Sequence, residues 1–296
     1  MALLDWIDGA PDRASLWLTQ AEADLDAQES LPRRTYADLA GAYIAFSLGR
    51  PDEAIARIDR LGDRLADGLR GETFGAVVVI PHVLARAFGA WYLTDLGQTA
   101  KARSWVAEAA NLSRRYAHPY SRMLADLAHG YLQYRAGRTG KALGILRRAH
   151  ADCLRHNFLG FEPACTSWLA LCLIELGLLD EAERIVSASV SRGHFRHVRT
   201  SATYYLHEAR ARLALAQGKK VQAAELAALA LRHARDCKDV IHELHALVLC
   251  RQVQTRTGID VAGTEGVAVA TLAARASELG LAVLERQMPT LHGLRP

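Results

Sequence analysis

The sequence lacks the cysteine patterns of a cross-linked or zinc-bound domain. Its 296 residues include five cysteines, and no two of these are separated by just two residues. An odd count without a CxxC pair argues against a disulfide or zinc framework, and it fits a reducing compartment. We therefore expect a cytoplasmic protein.

Long apolar runs and an excess of one charge are also missing. The uninterrupted apolar runs, among them 76–81 and 168–174, are far too short to span a bilayer. Residues 1–8 have no basic start and no apolar stretch of the kind that forms a signal peptide. Lysine and arginine total 36 against 32 acidic residues, a net charge of +4, which argues against nucleic-acid binding. A soluble protein with no membrane partner is expected.

Motifs that would mark an enzyme are absent as well. The sequence contains no GxxxxGK[ST], no GxGxxG after a strand and no GxSxG. His242 and His245 share a helix face, but their spacing is not that of HExxH and further zinc ligands are not evident. We expect two ordinary helix histidines, one packed and one solvated. The prediction is a non-enzymatic protein with no catalytic residues, no cofactor and no metal.

The chain is dominated by a repeat of about 40 residues. A glycine followed five positions later by a small residue recurs seven times, with the glycines 40, 48, 40, 40, 41 and 40 residues apart. A fixed period of this size indicates a solenoid of stacked helical units. The pairs are Gly9/Ala14, Gly49/Ala54, Gly97/Ala102, Gly137/Ala142, Gly177/Ala182, Gly218/Ala223 and Gly258/Gly263.

Each unit reads as two helices, A and B, joined at the glycine. The glycine takes a left-handed conformation that ends helix A, and a small residue seven positions before it lets helix B approach closely. The position nine after the glycine is a large apolar residue in five of the first six units. The last unit departs, with Arg251 and Gly263 at the small sites, as expected of a terminal repeat. Because Gly9 is a turn, residues 1–8 form the tail of a helix A, and the chain starts mid-repeat.

The 48-residue interval contains an insertion near 70–82. Val77 to Ile80 has the composition of a strand, whereas Pro81 favours a kink or a new helix start. We interpret the segment as the first turn of a longer helix A. It is either buried between repeats or an apolar surface for self-association.

The repeat resembles the tetratricopeptide family. The stretches Leu48-Gly-Arg-Pro-Asp-Glu-Ala54 and Leu176-Gly-Leu-Leu-Asp-Glu-Ala182 are close to the consensus turn of that family. The longer period is similar to the variant in MalT-like, LuxR-type regulators and in ATPase-linked nucleotidyl cyclases, and His118-Pro-Tyr-Ser121 resembles the start of a cyclase-linked repeat. The resemblance implies an all-α, right-handed solenoid of about seven antiparallel helix pairs over 1–296. It also leaves open that the chain is a fragment of a longer signalling protein.

The same resemblance implies a binding groove. In tetratricopeptide stacking, the positions one and four after the first small site of helix A face the concave side. Aromatic residues occupy the first of these positions in three successive units. The predicted partner-binding residues are Tyr36, Tyr43, Phe46, Trp91, Tyr131, Tyr134, Arg135, Tyr205, Glu208 and Arg212. Aromatic and arginine side chains are frequent hot spots. If they contact a partner they must be partly exposed; alternatively, they pack against adjacent A helices and fix the curvature.

These patterns predict a protein- or peptide-binding scaffold that serves as the regulatory or sensor module of a bacterial signalling system. The alternative is a small-molecule effector-binding domain of a transcriptional regulator or cyclase. Self-association stays open. Fold alone does not decide between these functions.

Overall fold

The computed structural model describes residues 1–25, 31–65, 71, 79–193 and 201–292. Within these ranges the chain is helical and has no strand. Nowhere in this part of the chain is a helix both long enough and apolar enough to cross a membrane. The helices are α1 Ala2–Ile7, α2 Pro11–Ala23, α3 Leu31–Ser47, α4 Pro51–Arg64, α5 Pro81–Asp95, α6 Thr99–Arg115, α7 Pro119–Arg135, α8 Thr139–Arg155, α9 Glu162–Glu175, α10 Leu179–Arg192, α11 Ser201–Ala216, α12 Lys220–Asp236, α13 Val240–Thr257, α14 Val269–Glu278, α15 Ala282–Glu285 and α16 Pro289–His292.

The helices follow one another as seven A–B pairs, α1/α2 to α13/α14, followed by the short α15 and α16. Each predicted turn glycine has φ between 70° and 75°, the left-handed region that favours glycine. After α7, the N–H of Arg138 donates to the carbonyl of Gln133 at 2.9 Å across Gly137, which closes the helix end. The all-α solenoid predicted from the repeat is confirmed.

The small positions of the repeat lie where helix A meets helix B. Ala42, Ala90, Ala170 and Ala211 are fully buried, and so are their counterparts in the B helices of these units. A Cβ atom added to Gly130 would lie 2.5 Å from the Leu146 side chain of α8. The small residues therefore allow the close approach that their spacing predicts.

The last unit differs from the prediction. Gly263 does not lie in a helix B but in the connection after α13, with φ +88, and α14 starts only at Val269. The assignment of Gly263 to the small site of the last helix B is therefore wrong. Gly266 also has a positive φ, so this connection contains two left-handed glycines and cannot continue as a regular helix.

The insertion before α5 is described only in part, because Val77 and its neighbours 72–78 lie outside the described residues. Ile80 is extended, with ψ 114, and Pro81 occupies the first helical turn, so at this point the helix starts later than we predicted. Val79 and Ile80 are buried, as expected of an inter-repeat segment. Self-association stays a prediction.

Candidate functional site on the inner face

Aromatic side chains from four A helices meet on the inner side of the solenoid. Trp91 of α5 stacks on Tyr131 of α7, with 4.6 Å between ring centroids, and on Tyr205 of α11, at 5.3 Å. Trp168 of α9 contacts all three rings at centroid distances of 4.6 to 5.7 Å. We call these four residues the aromatic column. Since α7 and α9 separate α5 from α11 in the sequence, the Trp91–Tyr205 contact requires tight curvature.

The aromatic column is part of the core. Tyr131 is 0% exposed and Trp91 is 9% exposed, and Tyr205 is buried as well. Rings that contact a partner must be partly exposed, and these three rings are not. The column instead packs as the alternative interpretation expects, with rings of neighbouring A helices in direct contact.

Closer to the N-terminus, a second set of rings is packed in the same way. Phe46 of α3 stacks on Tyr92 of α5 with 3.8 Å between centroids, and Tyr43 contacts Phe88 at 4.7 Å. Tyr43 and Phe46 are both buried. Burial raises the pKa of the Tyr43 hydroxyl far above its ordinary value. These two predicted site residues thus face the interior.

Sequence reasoning missed Trp168. The tetratricopeptide offsets select Leu171 and Ile174 in α9, whereas Trp168 lies one turn before Leu171 on the same helix face. An aromatic residue at this spacing was the signal available. The role of Trp168 depends on contacts with three other A helices, and the residue spacing within one helix does not reveal such contacts.

A buried polar network runs along the aromatic column. The Tyr131 hydroxyl hydrogen-bonds the carboxyl group of Asp95, and Arg135 Nε donates to the Tyr131 hydroxyl at 3.1 Å. The Arg135 guanidinium also lies 5.1 Å from the Trp168 ring centroid, within cation–π distance. Burial raises the pKa of Asp95, although Arg135 and Tyr131 oppose that shift. The network therefore holds Arg135 in one position.

His242 extends the network to α13. One ring nitrogen, Nε2, lies 2.8 Å from the Tyr205 hydroxyl, and the other, Nδ1, lies 2.8 Å from Asp239. Burial by itself lowers the pKa of His242, but the carboxylates of Asp239 and Asp95 raise it above its ordinary value. His242 thus links α11 to the start of α13 rather than presenting a free ring nitrogen.

His245 is also buried, so the prediction that one histidine of the pair is solvated is wrong. Burial lowers the pKa of His245 well below its ordinary value, and the positive Arg135 adds to this effect. Among the residues that the structure describes, no group of histidine, cysteine and acidic side chains is arranged to hold a metal ion. The absence of metal stays a prediction.

The C-terminal segment 279–292 packs against the body of the solenoid. Its residues Leu281 and Leu284 are buried, and Ala282 packs so near α5 that a Cβ added to Gly97 would lie 2.7 Å from the Ala282 Cβ. Lys238, at the end of the sixth unit, pairs with Asp12 of α2 at 2.6 Å. The last units of the solenoid therefore pack beside the first.

One cleft of about 400 Å³ stays open on the inner side. Three predicted site residues, Tyr134, Arg135 and Arg212, line it. Arg212 Nε donates to the buried Glu208 at 2.9 Å, which fixes the guanidinium at the floor. The wall is completed by Glu175 of α9, by Gln252, Thr255 and Arg256 of α13, and by Val283, Arg286, Gln287 and Leu291 of the C-terminal segment.

The ten predicted residues are therefore divided among three places. Tyr134, Arg135 and Arg212 line the inner cleft, and Tyr36 lines a separate, largely apolar cleft of about 580 Å³ beside Trp17 of α2. The others are buried: Tyr43, Phe46, Trp91, Tyr131, Tyr205 and Glu208. That any of the ten contacts a partner stays a prediction.

No protein family profile and no curated protein matches the sequence. Solved structures do match. A Rap protein complexed with the competence and sporulation factor aligns with 98% of this chain and 72% of its own, at a TM-score of 0.64 and 16% identity. The chain shares the Rap fold. The apo form of RapI aligns with 98% of this chain and 96% of its own, at a TM-score of 0.62 and 11% identity.

At these identities the likeness shows the fold alone. The helical-repeat architecture predicted from the glycine turns is confirmed by both Rap structures. The closer resemblance to MalT-like regulators and to cyclase-linked repeats stays a prediction.

Proposed function

We propose that this chain is a non-enzymatic regulatory protein that binds a peptide, or an exposed segment of a protein, in the inner cleft. The observation that carries the proposal is the meeting of Tyr134, Arg135 and Arg212 in an open cleft on the inner face. Tyrosine and arginine are the residue types that most often anchor binding interfaces.

The surroundings of the cleft support a binding role. Arg135 and Arg212 are held by Tyr131 and Glu208, so little side-chain freedom is lost when a ligand binds. A Rap protein of the same fold has been solved with the competence and sporulation factor bound. We place the protein in the cytoplasm, in a bacterial signalling system.

The size of the cleft favours a second candidate, a small-molecule effector. A volume of about 400 Å³ lies within the range of small-ligand sites, roughly 300–1,000 Å³. The same volume also accommodates a few side chains of a peptide, so the two candidates use the same residues.

A random peptide library displayed on phage tests the first candidate. Peptides selected on the wild-type protein should bind in a ratio of one peptide to one protein chain. Thr255→Trp fills the cleft without changing its charge, and we expect it to weaken binding at least about tenfold, equivalent to about 1.4 kcal/mol. The matched control is Ser104→Trp on the exposed face of α6, which should leave the affinity unchanged.

Two results would contradict the proposal. Selected peptides that bind the Thr255→Trp variant as tightly as the wild type would place the binding site elsewhere. A library that yields no peptide above background would reject peptide binding and favour the small-molecule candidate.

A further inference from the structure

The inner cleft has an uneven charge distribution. Four arginines line it, Arg135, Arg212, Arg256 and Arg286, against the single carboxylate of Glu175. Over the whole chain the positive and negative residues nearly balance, so this local excess is a property of the cleft and not of the composition.

The two floor arginines are largely matched by buried acids. Arg212 pairs with Glu208 at 2.9 Å, and Arg135 reaches Asp95 through the Tyr131 hydroxyl. Two side-chain atoms behind this floor, Arg135 Nη2 and Glu208 Oε2, have no hydrogen-bond partner, and both are buried away from the open space of the cleft. Recognition of a ligand anion therefore depends mainly on the arginines at the rim of the cleft.

The two rim arginines are unmatched. Arg256 near the end of α13 and Arg286 directly after α15 are exposed, and no described carboxylate lies within ion-pair distance of either. Their guanidinium groups come from two separate elements and face one cleft. A guanidinium fork matches the two oxygens of a carboxylate in a bidentate arrangement.

The charge balance indicates which anion fits. The acids behind the floor, Asp95 and Glu208, formally offset two of the four arginines, and Glu175 in the wall offsets a third. One positive charge remains in excess. That surplus matches a single carboxylate better than a polyphosphate, which would add several negative charges beside Glu175.

We infer that the inner cleft recognises a carboxylate group on its ligand, with Arg256 and Arg286 as the capturing residues. The inference rests on the proposed function for the location of the site and adds the chemistry of the ligand. The carboxylate belongs either to an acidic peptide or to a free small acid.

Calorimetric titration tests the inference in about 0.15 M salt, where long-range attraction is screened. The probes are an oligoglutamine peptide with blocked ends and one glutamate, the same peptide without the glutamate, the monocarboxylate lactate and inorganic phosphate. Arg286→Glu and Arg256→Glu should each weaken the binding of a carboxylate probe about tenfold or more. Glu175→Gln removes the only carboxylate of the lining and should strengthen binding several-fold. Arg103→Glu, on the exposed face of α6, is the matched control and should leave the affinity for each probe unchanged.

The outcomes separate the ligand sources. Binding of the glutamate-containing peptide without lactate binding assigns the carboxylate to a peptide and supports both proposals. Lactate binding with the same variant dependence, and no peptide binding, keeps the carboxylate inference and rejects the peptide.

Four results would overturn the inference. These are saturable binding of none of the acidic probes, equal binding of the peptide without the glutamate, tighter binding of phosphate than of either carboxylate probe, and an equal loss of affinity in Arg103→Glu. Phage-selected peptides that bind Thr255→Trp weakly but bind Arg286→Glu as tightly as the wild type would also overturn the inference. That result would leave the proposed function intact.

Discussion

Adding one methyl group at Gly130 tests the contact between helix A and helix B in the fourth unit. Gly130 lies inside α7, and a Cβ added there would lie 2.5 Å from Cγ and from Cδ2 of Leu146 in α8. Leu146 is 0% exposed, so its side chain has no free space into which to move. Gly130→Ala therefore forces two packed helices apart or pushes Leu146 out of its preferred rotamer.

The magnitude follows from two opposing terms. Replacing glycine by alanine in a helix favours folding by about 1 kcal/mol, whereas overpacking a filled core costs about 1–3 kcal/mol. The control is Gly144→Ala in α8, because a Cβ there meets no atom within 4 Å. Only the favourable term applies to Gly144. We expect Gly130→Ala to be less stable than Gly144→Ala by about 1–3 kcal/mol.

Urea denaturation followed by helical circular dichroism measures this difference in stability. The same substitution in a Leu146→Ala protein tests whether contact with Leu146 causes the difference. In a Leu146→Ala protein the obstacle is gone, so adding Gly130→Ala should stabilise that variant, by about 1 kcal/mol or less. If Gly130→Ala stabilises the wild type as much as Gly144→Ala does, the two helices are not in contact at this position and our repeat register is wrong.

Two further predictions follow from burial. Trp91→Ala and Tyr131→Ala should each lower the free energy of unfolding by roughly 3–5 kcal/mol in urea melts. The control, Trp17→Ala on the exposed face of α2, should have little effect. A loss under about 1 kcal/mol for both residues of the aromatic column would place them on an accessible surface. Burial, with a smaller contribution from the neighbouring His233, lowers the pKa of His207 to about 3. Because the unfolded chain takes up this proton below about pH 6.5 and the folded chain does not, stability should fall by about 2 kcal/mol between pH 7 and pH 5 from this group. His207→Gln should reduce that loss, and identical pH profiles for both proteins would refute the assignment.

Much of the fold could be predicted because its determinants are local. A glycine at the end of each helix A adopts φ near +72°, which few other residues tolerate, so Gly137 or Gly177 marks a turn without reference to the rest of the chain. Small residues such as Ala170 mark helix contacts for a similar reason, since any larger side chain would hold the helices apart. The failure at Gly263 has a local cause too, because a glycine followed by a second left-handed glycine belongs to a connection and not to a helix.

The candidate site was predicted less completely. Tyr134 and Arg212 could be selected from the repeat offsets, Arg135 follows Tyr134 directly, and all three line the inner cleft. The same offsets selected Trp91 and Tyr131, which the structure buries. One position in a repeat pattern thus holds both core and cleft residues, and the pattern of a single helix does not distinguish them.

The amino-acid sequence by itself determined the helices, their turns and their pairing, because these depend on residues within about one repeat of each other. Only the tertiary structure decided how strongly the solenoid curves. Curvature accumulates from small rotations between successive units, and it brings Trp91 against Tyr205 and Lys238 against Asp12, residues far apart in the chain. The arginine-lined cleft lies on the inner side of this curve, between A helices and the C-terminal segment.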